Sequence, residues 1–401
     1  MRVLFLTSRF PGDLRSGDRR RAYEQLRLLA PTHAITLLTF DDRGGDPGLR
    51  RQVFELCERV ILVPRDRLGM LARAALALPR ALPLQVALYA APALRKALHE
   101  ACGDAAFDLV HLQLSRLGTF APVPHGVPCV VDFVDALSLN MARRAHYDRG
   151  PMGLVARLEA RRLARYERAL CGRIAAGAVS SARDLAALGE PGNVRLVHNG
   201  VDPAEFPFST APRDDAAIAF VGNLGYFPNV DAALWFASRM PRIRAARPAA
   251  ELRLVGARPA ARLHRLAARV EGVRVIGPVE RVHPHLARAA VAIAPMRAGS
   301  GQQLKILEAM ATGTPVVATR DAAAAIDAVP GRDLLAADDP DDFADAVLRV
   351  LGDRELATTL ARNGGDFVER RYSWRASAQA LEQVWREAAG APTRPGAATA
   401  G

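Results

Sequence analysis

The sequence predicts an α/β protein made of two Rossmann-like, doubly wound parallel-sheet domains facing each other across a cleft. Short apolar runs alternate with amphipathic stretches of about 10–15 residues, the rhythm of strands joined by crossover helices. The series strand, turn, helix, strand begins twice, at Arg2 and again at Ala217. With 401 residues, 50% of them apolar, the chain can fill two cores.

The first copy opens on the strand Arg2–Leu6. MRVLFLT holds one charge and too short an apolar run for a signal-peptide core, so it reads as strand and not as leader. A loop from Ser8 to Gly17 leads to a helix near Arg19–Leu29 and a strand at Ala34–Phe40. Further strands are expected at Val60–Val63, Leu109–Leu112, Cys129–Asp132 and Ile174–Ser180. Between them, Leu68 to Leu98 is the most membrane-like stretch, but Arg73, Pro79, Arg80, Pro83, Pro92 and Arg95 interrupt it before a span of about 18 apolar residues accumulates. The second copy runs through the strand Ala217–Gly222, a helix at Asp231–Arg244, and strands at Leu252–Val255, Val273–Ile276 and Val291–Ala294. The join falls near Val197 to Ala216, where periodicity lapses and turn residues gather. The expected domains are therefore 1–197 and 198–372, with a last helix at 373–389 packing back toward the first domain. The tail 390–401, rich in Gly, Ala, Pro and Thr, has nothing with which to build a core and is expected to be disordered.

The most informative stretch is Ala294 to Val317, which fits strand, glycine turn, helix and strand end to end. Gly299-Ser300-Gly301 lets backbone approach a ligand, and a helix starting near Gln302 would aim its first N–H groups at an anion. Lys305 and Glu308 are three residues apart and share one helix face, a cation for phosphate beside a carboxylate for sugar hydroxyls. Gly313 closes the helix and Pro315-Val316-Val317 opens a buried strand. A solvated Lys–Glu pair is the ordinary reading of such spacing. Against it, this chain has only two lysines, Lys96 and Lys305, among 54 basic residues.

Cys57, Cys102, Cys129 and Cys171 are far apart with no CxxC, which argues against a zinc site and a disulfide framework and suits a reducing cytoplasm. Net charge is +12, and residues 1–200 carry 29 Lys+Arg against 19 Asp+Glu, so the first half holds most of the excess. No helix-turn-helix, zinc-finger or RNP-like pattern accompanies it, and aromatics are 6%, so no nucleic-acid partner is expected. An anionic membrane face or a diphosphate-bearing acceptor accounts for the same asymmetry. The stretch Met152 to Gly172, with Arg157, Arg161, Arg162, Arg165 and Arg168 among Leu154, Val155, Leu158, Leu163 and Leu170, is either a basic outer face or a membrane-surface contact. His111 ends an apolar strand and reads as a near-core histidine or a sugar contact; His198 reads as shaping a turn. Asp135 follows the strand Cys129–Asp132 on the side where such sheets place ligands, and capping or catalysis suits it equally. Asp339-Pro340-Asp341, the only DxD, precedes the helical run Phe343–Leu351 and reads as a cap; no metal is expected.

Taken together, FLTSRFPGDLRSGDRRRAYEQL, HNGVD, FVGNLGYFPNVDAALWF and PMRAGSGQQLKILEAMATGTPVV resemble the family 4 glycosyltransferases with the GT-B fold. Within that family they resemble the sugar transferases of exosortase (PEP-CTERM)-associated exopolysaccharide clusters, over nearly the whole chain. The resemblance implies a nucleotide-sugar donor, UDP- or GDP-linked, held mainly by the second domain. It implies a saccharide or polyprenyl-diphosphate-linked acceptor on the first domain, and retention at the anomeric carbon without metal or other cofactor. By position, Lys305 meets the donor diphosphate, Glu308 the ribose, and Gly277 to Val279 the base. Gly17 and Arg21 would stand on the opposite wall, and Gly222 would open the nucleotide loop. Arg297, Gly299, Ser300 and Gly301 would line the phosphates. The chain departs from the family at three places. Ser300 stands where the first of paired glutamates is usual, Asn223 and Asn229 occupy a loop that usually carries Arg and Lys, and the histidine many relatives place after the fourth strand is absent, leaving Asp132 or Asp135 there. Catalytic weight then falls on Lys305, Glu308 and Asp135. Two other classes stay open: a non-catalytic sugar or lipid-carrier binding descendant, and a nicotinamide dehydrogenase, which would need a GxGxxG that neither first strand provides.

Overall fold

The computed structural model describes residues 1–14, 16–42, 46–148, 150–298 and 301–390. The chain divides into two compact units: Met1–His198 together with Ser377 onward, and Asn199–Ala376.

In the first unit, β1 (Arg2–Thr7), β2 (Ala34–Phe40), β3 (Arg59–Val63), β4 (Leu109–Gln113), β5 (Cys129–Val134), β6 (Ala176–Val179) and β7 (Val194–Leu196) form one sheet in the order β3-β2-β1-β4-β5-β6-β7. Every neighbouring pair is parallel. Parallel strands are covered on both faces, which is why β1 is apolar from Val3 to Leu6 and β4 is buried along its whole length, polar His111 and Gln113 included. Side chains alternate across the sheet: Leu4 and Leu6 join one core cluster, Val3 and Phe5 the other. The second cluster is completed by the helix Trp374–Gly390, which supplies Leu381, Val384, Trp385 and Ala388.

In the second unit, β8 (Asp214–Val221), β9 (Glu251–Val255), β10 (Val273–Gly277), β11 (Ala289–Ala294), β12 (Val316–Ala318) and β13 (Leu335–Ala336) form a parallel sheet in the order β10-β9-β8-β11-β12-β13. The helix expected over 231–244 is two helices, Phe227–Ala237 and Met240–Ala246. Pro241 is the cause: it has no N–H to donate back, so it fits only the first turn of a new helix. Phe220, Phe236 and Phe343 centre the core, with the Phe236 and Phe343 rings 5.6 Å apart.

Both sheets wind outward from their first strand and then cross back over it. The crevice produced by that reversal lies at the carboxyl ends of β1 and β4 in one unit and of β8 and β11 in the other. Leu68 to Leu98 forms parts of three short helices, Arg67–Ala77, Leu84–Tyr89 and Pro92–Asp104, and among the described residues no helix is long and apolar enough to cross a membrane.

Candidate functional site

Of the residues the sequence singled out, Gly222, Gly277, Val279, Arg297, Lys305 and Glu308 belong to the second unit, on the ends of its strands and the segments that follow them. Gly222 follows β8, and its backbone is laced to the neighbouring strand ends: Gly222 N–H donates to Val255 O at 3.0 Å and Gly256 N–H to Gly277 O at 2.8 Å. A Cβ on Gly256 would lie 1.8 Å from Gly222 O, so only glycine permits this approach. On the other side, the loop after β11 is pinned by Thr319, whose hydroxyl donates to Met296 O at 2.7 Å. The helix Leu304–Ala311 begins two residues later than expected; its cap residue Gln303 makes no side-chain bond to the first turn, while Gln302 accepts Asn199 N–H at 2.7 Å. Gly313 closes that helix at φ +74°, as a glycine C′ residue does.

Lys305 projects from this helix into the crevice. Its ammonium donates to Asn229 Oδ1 at 2.5 Å and to Met296 Sδ at 3.3 Å, and lies 5.2 Å from the centre of the Phe220 ring. Among the described residues no carboxylate stands within ion-pair distance of it. Burial therefore lowers the Lys305 ammonium to about 7, with the Glu308 carboxylate one turn away opposing the shift. Asn229 is itself buried and donates through Nδ2 to Asn223 O at 2.9 Å, which fixes which end of the amide faces the lysine. The loop residues that depart from the family pattern are thus the residues that hold the cation.

Arg297 is engaged by Asp231, with contacts of 3.2 and 2.7 Å, and lies over the Trp235 ring at 5.7 Å. Gly277 ends β10 at φ +81° with open space where a side chain would stand, and Val279 is half-buried beyond it. Glu308 is half-buried on the Lys305 face. Gly301 is described, at φ +71°; Gly299 and Ser300 lie outside the described residues, as does the tail from residue 391.

In the first unit the arrangement differs from the expectation. Gly17 is the exposed first residue of the helix Gly17–Leu29. Arg21, one turn on, is fully buried and binds Asp132 through Nε at 2.6 Å and Nη2 at 3.2 Å. An arginine sealed against a core carboxylate does not form a wall for a diphosphate, so Arg21 is corrected from ligand contact to internal counter-ion. Asp132 also accepts from Gln25 Nε2 at 2.8 Å and from Val134 N–H at 3.0 Å. Burial alone would raise this carboxyl; the Arg21 guanidinium outweighs it and holds Asp132 below the usual carboxylate range. The bond to Val134 places a β-branched residue at φ +63°, an outlier conformation, immediately before Asp135. Asp135 is half-buried at the end of β5. His111 is a core residue: it stacks on Phe5 at 4.2 Å and accepts from Trp385 Nε1 at 3.1 Å, and burial lowers it to about 4. His198 donates through Nδ1 to Ser180 O at 2.9 Å, a turn-shaping bond.

Two buried carboxylates escaped sequence reasoning. Glu167 accepts from Leu137 N–H at 2.9 Å, Ser138 N–H at 3.2 Å and the Ser115 hydroxyl at 2.8 Å, and Asp184 accepts from Ala136 N–H at 3.0 Å. They cap the helix Leu137–Tyr147 from other elements, so no local sequence signal marks them. Asp339 is a helix cap, accepting from Asp341 and Asp342 N–H at 2.8 and 3.2 Å, and among the described residues no His, Cys, Asp or Glu cluster is set to hold a metal ion.

Comparison with known proteins adds kinship to this geometry. Residues 215–353 match the family described as Glycosyl transferases group 1. The chain is 29% identical over 236 residues to a phosphatidyl-myo-inositol mannosyltransferase of Mycolicibacterium smegmatis, covering 56% of this chain and 60% of that protein. It is 31% identical over 224 residues to a D-inositol 3-phosphate glycosyltransferase of Catenulispora acidiphila, covering 49% and 51%. The chain thus spans only about half to three-fifths of these curated relatives. Among solved structures, sucrose-phosphate synthase from Thermosynechococcus elongatus superposes with a TM-score of 0.69 at 19% identity, over 96% of this chain and 98% of that one. Anabaena HepE in complex with UDP and glucose gives 0.68 at 16% identity, over 96% and 99%. The chain therefore has the GT-B fold, and its second unit is related in sequence to the group 1 glycosyl transferases.

Proposed function

We propose that the protein is a glycosyltransferase that moves a sugar from a nucleoside-diphosphate donor to a saccharide or lipid-linked acceptor with retention of anomeric configuration. The observation that carries this reading is the Lys305 ammonium, held at the β8–β11 switch point by a neutral amide. A cation whose neighbours are an amide, a thioether and an aromatic face has its charge to offer to an incoming anion. As the bond from the anomeric carbon to the diphosphate breaks, negative charge collects on the departing phosphate, and a fixed ammonium in a water-poor crevice stabilises it. Glu308 on the same helix face is placed to receive ribose hydroxyls, and the backbone at Gly277 and Val279 to meet the base. Arg297 would join the phosphates by exchanging Asp231 for them. Asp135 is assigned to the acceptor side, and exopolysaccharide synthesis is the role that the sequence motifs favour. The relatives named above act on inositol-containing acceptors by their names, and the HepE complex holds UDP; both support a sugar-nucleotide reaction.

Thermal unfolding in the presence of UDP or GDP tests the reading. A nucleotide at one hundred times its Kd adds about 2.7 kcal/mol to stability, and the one that raises Tm names the donor class. Lys305→Ala should lose that shift and reduce kcat/KM roughly 10- to 150-fold, the loss of one charge-assisted hydrogen bond of about 1.5–3 kcal/mol. A Tm indifferent to both nucleotides, or full turnover in the variant, rejects it.

A further inference from the structure

Lys305 and Asn229 belong to different elements, and their meeting is not an accident of surface side chains. Asn229 lies in the first turns of the helix Phe227–Ala237, is 6% exposed, and donates its N–H to Tyr226 O at 3.0 Å. Its Nδ2 is keyed by Asn223 O, so the Oδ1 end must face the ammonium. The fit is tight on the far side too: a Cβ on Gly222 would stand 2.8 Å from Asn229 Nδ2. Asn223 in turn closes its own loop, its Oδ1 accepting Gly225 N–H at 3.1 Å.

We propose that Asn229 is a positioning residue of the donor site, whose keyed amide holds the Lys305 amine in place as a neutral acceptor, so that the diphosphate itself supplies the counter-charge and donor binding brings a proton with it. This rests on the donor-site reading above and extends it to how the site is kept ready. A carboxylate at position 229 would hold the ammonium charged at all times but would have to be displaced by the phosphate. An amide supplies the same direction without that competition. The charged groups on the surrounding elements are few. Glu308 on the lysine's own helix acts on it, Asp231 on the Asn229 helix and Arg297 after β11 are paired with each other, and β8 presents only the Phe220 ring. A half-buried amine with no carboxylate in ion-pair reach among the described residues sheds its proton more readily than one in water, and an arriving dianion restores it.

The test is calorimetric titration of the full chain with UDP and GDP at pH 6.5, 7.5 and 8.5, each in two buffers of different ionisation enthalpy. At the two higher values the nucleotide's own phosphate is already ionised, so proton uptake reports the protein. For the wild type we expect Kd to rise about ten-fold per pH unit above 7, and uptake to approach one proton per nucleotide at pH 8.5. Asn229→Asp should bind about ten-fold or more weakly at pH 6.5 and lose most of the pH dependence and proton uptake; Asn229→Ala should bind weakly yet keep the proton uptake. Lys305→Arg, whose guanidinium does not titrate in this range, should take up no proton, and it provides the same contrast should the position-229 variants fail to fold. Wild-type binding that is tight at pH 6.5, flat to pH 8.5 and free of proton uptake overturns the inference and leaves the donor site standing. So does an Asn229→Asp variant indistinguishable from wild type. Absence of binding by either nucleotide at every pH overturns the donor-site reading and this inference with it.

Discussion

Arg21 is sealed from water and Lys305 half-buried, and what separates them further is the partner each meets. Arg21 faces a carboxylate at 2.6 Å in a fully buried pair, so its charge is spent on the fold. Lys305 faces an amide at 2.5 Å, so its charge is held back. The two therefore respond oppositely to removal. Arg21→Met strips the counter-ion from buried Asp132 and should cost about 3–5 kcal/mol in urea unfolding at pH 7. The double variant Arg21→Met with Asp132→Asn should recover most of the loss: the amide oxygen still accepts Val134 N–H, its NH2 can donate to the Oε1 of a turned Gln25 amide, and no charge is left to neutralise. Lys305→Met, by contrast, removes a desolvated ammonium and should leave stability unchanged or higher. A loss below about 1 kcal/mol for Arg21→Met would mean that water reaches the pair and that Arg21 is free to meet a ligand after all.

At the scale of elements, the helix Leu137–Tyr147 begins without a cap of its own and borrows Glu167 and Asp184 from elsewhere in the unit. Burial raises Glu167 to about 7, with the Ser138 and Ser115 bonds opposing; burial and then the Asp135 charge raise Asp184. In both, the folded protein binds protons more tightly than the unfolded chain. Stability from these groups is thus full below the unfolded carboxyl value and is lost as pH rises through the folded one. For Glu167 the window runs from about 4.5 to about 7. Glu167→Gln should flatten the fall in Tm between pH 5 and 7.5, and an unaltered slope would show that Glu167 is charged throughout. Such borrowed caps mark the limit of what a single sequence shows. The helix Leu304–Ala311 was legible because its turn glycines, its Lys305–Glu308 spacing and Gly313 are local signals. So were the long apolar strands. β7 and β13, of three and two residues, were not, being too short to show a period. Asn229 looked like a missing cation, since only the fold brings it to Lys305. Arg21 sits in a run of three arginines, and only the meeting of helix Gly17–Leu29 with β5 decides that this one pairs with Asp132.

At the scale of the molecule, the charge asymmetry of the first 200 residues finds a surface in the helix Pro151–Cys171. Its arginines divide: Arg157, Arg161, Arg165 and Arg168 are exposed, whereas Arg162 is buried and donates to Leu78 O at 2.7 Å. The exposed apolar side chains were not expected from a merely basic outer face: Met152, Leu154, Val155 and Leu158 all stand in water, Leu154 at 67% exposure. The Arg162 bond ties this helix to the end of Arg67–Ala77, whose Leu68, Leu71 and Leu76 are exposed as well. Apolar side chains rimmed by arginine suit the interface of an anionic bilayer, where burial of the former and attraction of the latter add. Each basic residue near such a surface contributes about 1 kcal/mol at physiological salt, and that share should vanish as salt is raised. Sedimentation with phosphatidylglycerol vesicles should therefore carry the protein down at low salt and release much of it at high salt, while phosphatidylcholine vesicles leave it in solution. Replacing Leu154 and Leu158 with Ser should weaken binding at every salt concentration, because the apolar contribution is not screened. Replacing Arg157 and Arg161 with Gln should instead reduce the salt dependence. Equal recovery with both lipids, or none with either, would return this helix to the role of an ordinary solvated face and leave the basic half of the chain to its arginine-rich composition.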